Sequence, residues 1–143
     1  MIFLGDTNGS DKKLEDLSSA TDMQKNGWVW SSNVRVNDLN YLGPDKYSDC
    51  SRYDKTWYGY ANGAAIGTIS ATFHGSGSAV LNYGNCYFQG QVVVSLNGKE
   101  ISRVGGFVFD KEISFNFAKG DILELKEINI AIIKLNTFKI NVY

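Results

Sequence analysis

The chain has one histidine, two cysteines and one proline in 143 residues, and its charges nearly cancel, with Lys+Arg 14 against Asp+Glu 15. Each scarcity removes a class of function. A single imidazole, His74, cannot supply a histidine-based metal cluster. As the base of a triad with Ser76 or Ser78 it would sit just before a glycine turn, where a solvent-facing turn residue is the better reading. No basic excess is present to hold a phosphate backbone by counterion release, so nucleic acid is not an expected partner. No apolar stretch reaches the roughly 20 residues that cross a bilayer, and Met1 to Leu4 runs at once into Gly5 and Asp6. Neither a membrane span nor a signal core is therefore expected.

Other chemistry is missing by arrangement. The acids are scattered over turns or alternate with lysine, so no carboxylate pair suggests glycosidic cleavage; Asp110, Glu112, Asp121, Glu124 and Glu127 read as solvated strand edges. Gly75-Ser76-Gly77 opens onto a strand pattern and not onto a helix that could hold an anion. Asp6, Asn8 and Ser10 begin like a calcium loop, but the glycine falls at Gly9 and Leu17 stands at the twelfth position. Thus no catalytic residue, metal site or cofactor is expected, and the chain reads as a non-enzyme.

What remains fits one domain over 1–143, with 43% hydrophobic residues, enough for a core without several staples. Cys50 and Cys86 can form one bridge, which suits an oxidising, extracellular or surface-displayed setting; two buried thiols are the alternative. Asn8-Gly9-Ser10 would be a glycosylation acceptor in such a setting.

The texture changes near Gly63. Residues 1–62 are loop-rich and aromatic-rich, with Leu14 and Leu17 spaced for at most a turn or two of helix capped by Ser10 or Asp11. From residue 64 the apolar period is two, the mark of strands with one face buried. Ile69, Ala71 and Phe73 face inward, leaving Thr68, Ser70 and Thr72 as an outer hydroxyl stripe. Val92, Val94 and Leu96 lead to Asn97-Gly98, a type I′ hairpin signal. Ile113, Phe115 and Phe117 precede a turn at Lys119-Gly120-Asp121; Leu123 and Leu125, then Phe138, Ile140 and Val142, follow. Phe73, Val94, Leu96, Phe115, Phe117, Leu125, Phe138 and Ile140 are the expected core. Six or seven short strands split by Gly, Asn and Asp predict an all-β, antiparallel sandwich of jelly-roll type, with a closed barrel as the alternative. The 15 glycines suit its turns.

All three tryptophans lie in 27–62, among tyrosines and polar side chains. A sugar ring offers a flat C–H face and a rim of hydroxyls, so its binder needs an exposed aromatic beside amides or acids. Trp57, Tyr58, Tyr60, Trp28 and Trp30 are candidate rings, with Asn37 and Asp54 among the candidate polar partners; Trp57 is the first choice. Trp28 and Trp30, two apart, could equally fill the core.

Residues 63–101 carry Ile66 to Ala71 (IGTISA), Gly75 to Gly77, Tyr83 to Cys86 (YGNC) and Val92 to Gly98. This pattern resembles repeated β-rich modules of marine invertebrates and protists, and the resemblance extends over about 57–143. More loosely, the strand ending in Asn-Gly, the Gly-Asp turn and the final Leu-x-x-Phe-x-Ile strand are similar to galactose-binding-like, carbohydrate-binding jelly rolls. That likeness implies a ligand held by loops at one end of the sandwich. The expected function is a non-catalytic lectin-like or adhesion module with a glycan partner. The alternative is a structural subunit of an extracellular assembly, appendage or capsid, in which neighbouring copies join through strand or sandwich contacts into a homo-oligomer.

Overall fold

The computed structural model describes residues 12–14, 24–25, 27–31, 34–36, 57–61, 67–129 and 132–142. Nine strands account for most of them: β1 (Lys12–Leu14), β2 (Val29–Trp30), β3 (Val34–Val36), β4 (Trp57–Ala61), β5 (Thr68–Thr72), β6 (Gly77–Leu96), β7 (Lys99–Phe117), β8 (Ile122–Ile128) and β9 (Ile132–Val142). Every pairing is antiparallel. The strand order is β2-β5-β8-β6-β9-β4-β3, with β1 on β9 and β7 on β6.

The β6–β7 hairpin organises both layers. Its turn has Asn97 at φ 52° and Gly98 at φ 80°, the two left-handed residues a type I′ turn requires. Residues 77–85 of β6 lie between β9 and the C-terminal part of β7. Residues 91–96 lie between β8 and the N-terminal part of β7. One hairpin thus belongs to two sheets, which face each other as the antiparallel sandwich expected from the two-residue period.

The core fills the space between them. Phe73 of the β5 side stacks on Phe117 at 3.7 Å between centroids and meets Phe115 and Phe138 edge-on at 6.2 and 6.4 Å. Of the expected core, Phe73, Val94, Phe117, Leu125, Phe138 and Ile140 are buried, and Leu96 and Phe115 are partly buried against them. Leu81 and Tyr83 belong to the same cluster. The Tyr83 hydroxyl shares a 2.5 Å hydrogen bond with Ser102 Oγ. The outer stripe of Thr68, Ser70 and Thr72 is half-buried as its alternation requires.

Three expectations need correction. Lys12–Leu14 is a strand paired with Lys139–Asn141 of β9, not a helical turn, because a three-residue strand is selected by its distant partner and carries no period of its own. The short strands expected within 91–117 join into much longer ones. Glu127 is not a solvated edge: it is 0% exposed, since the alternation that buries Leu123 and Leu125 carries it inward. The Gly120 turn is as expected, with φ 91° and Asp121 N–H donating to the Ala118 carbonyl at 3.0 Å.

Candidate functional site

The outer face of the β7–β6–β9–β4 half departs most from a regular ladder. The β6–β9 register slips between Asn82 and Tyr83, opposite Asn136. In consequence the inward positions of β9 change from Ile133 and Leu135 to Phe138, Ile140 and Val142. A bulge of this kind re-aims side chains and leaves a residue out of the ladder. On the other flank the β6–β7 register slips between Tyr83 and Asn85, around Gly84. A Cβ at Gly84 would stand 2.4 Å from the Val108 carbonyl oxygen and 2.7 Å from Phe109 Cα. Glycine is what lets β7 lie this close over β6.

Between the two slips a groove of about 450 Å³ is lined by Asn82, Phe109, Asp110, Lys134, Asn136 and Thr137. A hydrogen-bonded chain crosses three strands. Asn136 Nδ2 donates to Asn82 Oδ1 at 2.8 Å and to the Phe109 carbonyl at 2.9 Å. Asn82 Nδ2 donates to Asp110 Oδ1 at 2.5 Å. Lys134, only 7% exposed, brings its ammonium 6.0 Å from the centroid of the Phe109 ring, within cation–π reach. Phe107, 46% exposed, lies 5.9 Å from Phe109, the rings inclined by 39°. The surface therefore combines apolar rings with amides, a carboxylate and a hydroxyl. Such a surface can take the C–H face of a sugar on its rings and the hydroxyl rim on its polar groups.

The residues expected from sequence are divided by the fold. Trp28 is 1% exposed and meets Phe138 edge-on at 5.9 Å inside the core, and Trp30 is partly buried against that core. Trp28 thus takes the core alternative that the sequence left open. Both lie on the β5 side, while β4 borders β9. On β4, Tyr58 pairs with Lys134 and Tyr60 with Ile132, and Trp57 pairs with the core residue Leu135. Tyr58, Lys134 and Gly84 therefore occupy one register line beside the groove. The side chains of Trp57, Tyr58 and Tyr60, together with Asn37, Asp54 and Cys50, lie outside the described residues, as does the side chain of Cys86. His74 is an exposed bend residue at the end of β5.

Phe109, Asn82, Asp110, Lys134, Asn136 and Thr137 were not among the candidates. A signal for them did exist. Gly84 interrupts a strand and marks a close approach or bulge, while Lys134 and Asn136 break an apolar run.

Neither a protein-family model nor a curated protein matches the sequence. The repeated-module pattern therefore has no family model behind it. Solved structures do match the fold. A mutant of a carbohydrate binding module family 29 superposes with a TM-score of 0.59 at 11% identity, over 92% of this chain and 92% of that one. A lysine-to-alanine mutant of CBM29-2, complexed with cellulohexaose, gives 0.56 at 10% identity over 94% and 92%. TmCBM61 in complex with beta-1,4-galactotriose gives 0.52 at 12% identity over 81% and 88%. At these identities the likeness establishes the jelly-roll sandwich and not the ligand.

Proposed function

We propose that the chain is a non-catalytic carbohydrate-binding module whose glycan lies along the outer face of β7, β6, β9 and β4. The observation that carries this reading is the groove itself: the half-buried Phe109 ring, with exposed Phe107 next to it, beside a bonded chain of Asn136, Asn82 and Asp110. That two modules of the same fold were solved with oligosaccharides bound supports the same class of partner. Tyr58 and Tyr60, whose backbone pairs with β9 at Lys134 and Ile132, are kept as candidate rings on the sequence argument. Trp57 remains the sequence-based alternative on the same strand.

A single aromatic contact contributes about 0.5 to 1.5 kcal/mol beyond area burial, so one site binds weakly and display in several copies would strengthen it. An extracellular or surface-displayed location and a Cys50–Cys86 bridge belong to this reading. The bridge would close about 36 residues and contribute on the order of 3 to 4 kcal/mol by chain entropy. Two free thiols in the unreduced protein would remove it.

The test is a glycan array followed by titration of the wild type and Phe109→Ala. Loss of glycan signal in a folded variant is expected. Full retention would move the site elsewhere, to Trp57 first.

The structural-subunit reading has one observation in its favour, that β7 bonds to β6 along one edge and to no other strand among the described residues. That edge carries Lys99, Glu100, Arg103, Asp110, Lys111 and Glu112, the charge pattern that discourages edge-to-edge pairing. Binding is therefore the preferred reading. A concentration-dependent mass in solution without any glycan binding would reverse the preference.

A further inference from the structure

The hydrogen bonds of the groove have only one consistent direction. An ionised carboxylate cannot donate, so Asn82 must turn its amide nitrogen toward Asp110, as it does at 2.5 Å. The Asn82 oxygen then faces Asn136 and needs a donor, which the Asn136 amide nitrogen supplies at 2.8 Å. The second hydrogen of that nitrogen goes to the Phe109 carbonyl at 2.9 Å. Both donors of Asn136 are thereby used, and its oxygen is left as an acceptor. Asp110 keeps its second carboxylate oxygen, also an acceptor. Lys134, the one cation among the described residues that line the groove, is largely buried with its ammonium near the Phe109 ring. What the exposed rim offers a ligand is therefore acceptor-rich and negative.

Resting on the carbohydrate-binding reading above, we propose that Asp110 is the specificity-determining residue of the groove, admitting hydroxyl-bearing neutral sugars and refusing sugars that carry carboxylate or sulfate. A neutral sugar hydroxyl can give its hydrogen to Asp110 or to the Asn136 oxygen. A uronate or sulfate at the same position has no hydrogen to give and meets a like charge, which works as rejection of the wrong partner. Asn136 also acts as a positioning residue, because its amide nitrogen fixes which way Asn82 points and where the Phe109 backbone lies. Asn136→Ala should therefore weaken neutral binding and also erode the discrimination, an effect that a loss of packing alone would not produce.

The experiment is calorimetric titration of the wild type, Asp110→Asn, Asn136→Ala and Phe109→Ala. The probes are cellohexaose and β-1,4-galactotriose, each also with its C6 hydroxymethyl groups oxidised to carboxylates. Circular dichroism confirms the fold of each variant. For the wild type the oxidised forms should bind at least about tenfold more weakly than the neutral ones. Asp110→Asn, an isosteric change at an exposed position, should close most of that gap, and Phe109→Ala should weaken both forms alike. A wild type that binds oxidised and neutral forms equally, or an unchanged ratio in Asp110→Asn, overturns the inference while the carbohydrate reading stands. A wild type that binds neither neutral oligosaccharide overturns the inference, and with a blank glycan array the carbohydrate reading as well.

Discussion

The two halves of the β6–β7 hairpin share a turn and one set of strands, yet they present different outer surfaces. Toward the turn, Arg103 binds Glu100 at 2.7 Å and also donates to Gln91, so the charges on that half satisfy one another. Toward the far end, Phe107 is exposed and Phe109, Asp110, Asn82 and Asn136 line an open groove. The slips around Gly84 and opposite Asn136 create the second surface, while the first half serves mainly to carry it. Local irregularity, more than composition, separates a grooved surface from a charge-paired one on the same pair of strands.

The largest expected effect tests whether the two halves are one cooperative body. Phe138 touches both Trp28 and Phe73. Phe138→Ala should cost about 3 to 5 kcal/mol in a single denaturant transition followed by fluorescence and circular dichroism together. Two separate transitions would show that the halves unfold independently.

A pair of glycines sharpens the contrast further. At Gly84 an added Cβ meets backbone at 2.4 Å, whereas at Gly105 it meets first the Gln91 Cγ at 3.2 Å, a side chain able to move. Gly84→Ala should cost about 1 to 3 kcal/mol from overpacking and should displace Phe109, with loss of glycan binding. Gly105→Ala should leave binding intact. Equal binding by both variants would mean that the close approach at Gly84 does not shape the groove.

Tyr83 joins the halves through Ser102, and burial holds its phenol above the ordinary value of 10.0. The unfolded tyrosine ionises first as pH rises, so the folded state binds more protons in that window and stability falls above about pH 10. Below it the contribution is fully present. Equilibrium unfolding at pH 8 and 11 should show a steeper alkaline loss in the wild type than in Tyr83→Phe; identical losses would assign the alkaline sensitivity elsewhere. The smallest effect belongs to the carrier surface: Arg103→Ala should change neither melting temperature nor glycan affinity measurably, because exposed ion pairs contribute little.

Much of this architecture was legible in the residues. A two-residue period fixed the inward face of β5, β8 and the end of β9, and Asn97-Gly98 fixed the hairpin, because both are local signals. Lys12–Leu14 was not legible, since its pairing partner is the last strand. The groove was hidden for a related reason. It depends on Asn136 slipping out of register with Asn82 and on β7 crossing over Gly84, and a slip is a property of two strands at once. The concentration of tryptophans in 27–62 carries no signal of where each ring goes: the fold buries Trp28 in the core and sets β4 beside β9.

The length of the β6–β7 hairpin also bears on the order in which the chain can organise itself. Its two strands meet through a two-residue turn, so their pairing closes only a short loop, whereas β9 must return across β7 and β8 to find the start of β6. Low-entropy contacts form first when they are also apolar, and Val92, Val94 and Val104 give this hairpin its own buried row. The hairpin is then a template that offers one exposed edge of β6 to two later arrivals, β8 and β9. On this view truncations at Val94 and Val104 slow folding, while truncation at Ile140 mainly speeds unfolding, a division that stopped-flow chevrons would reveal or refute.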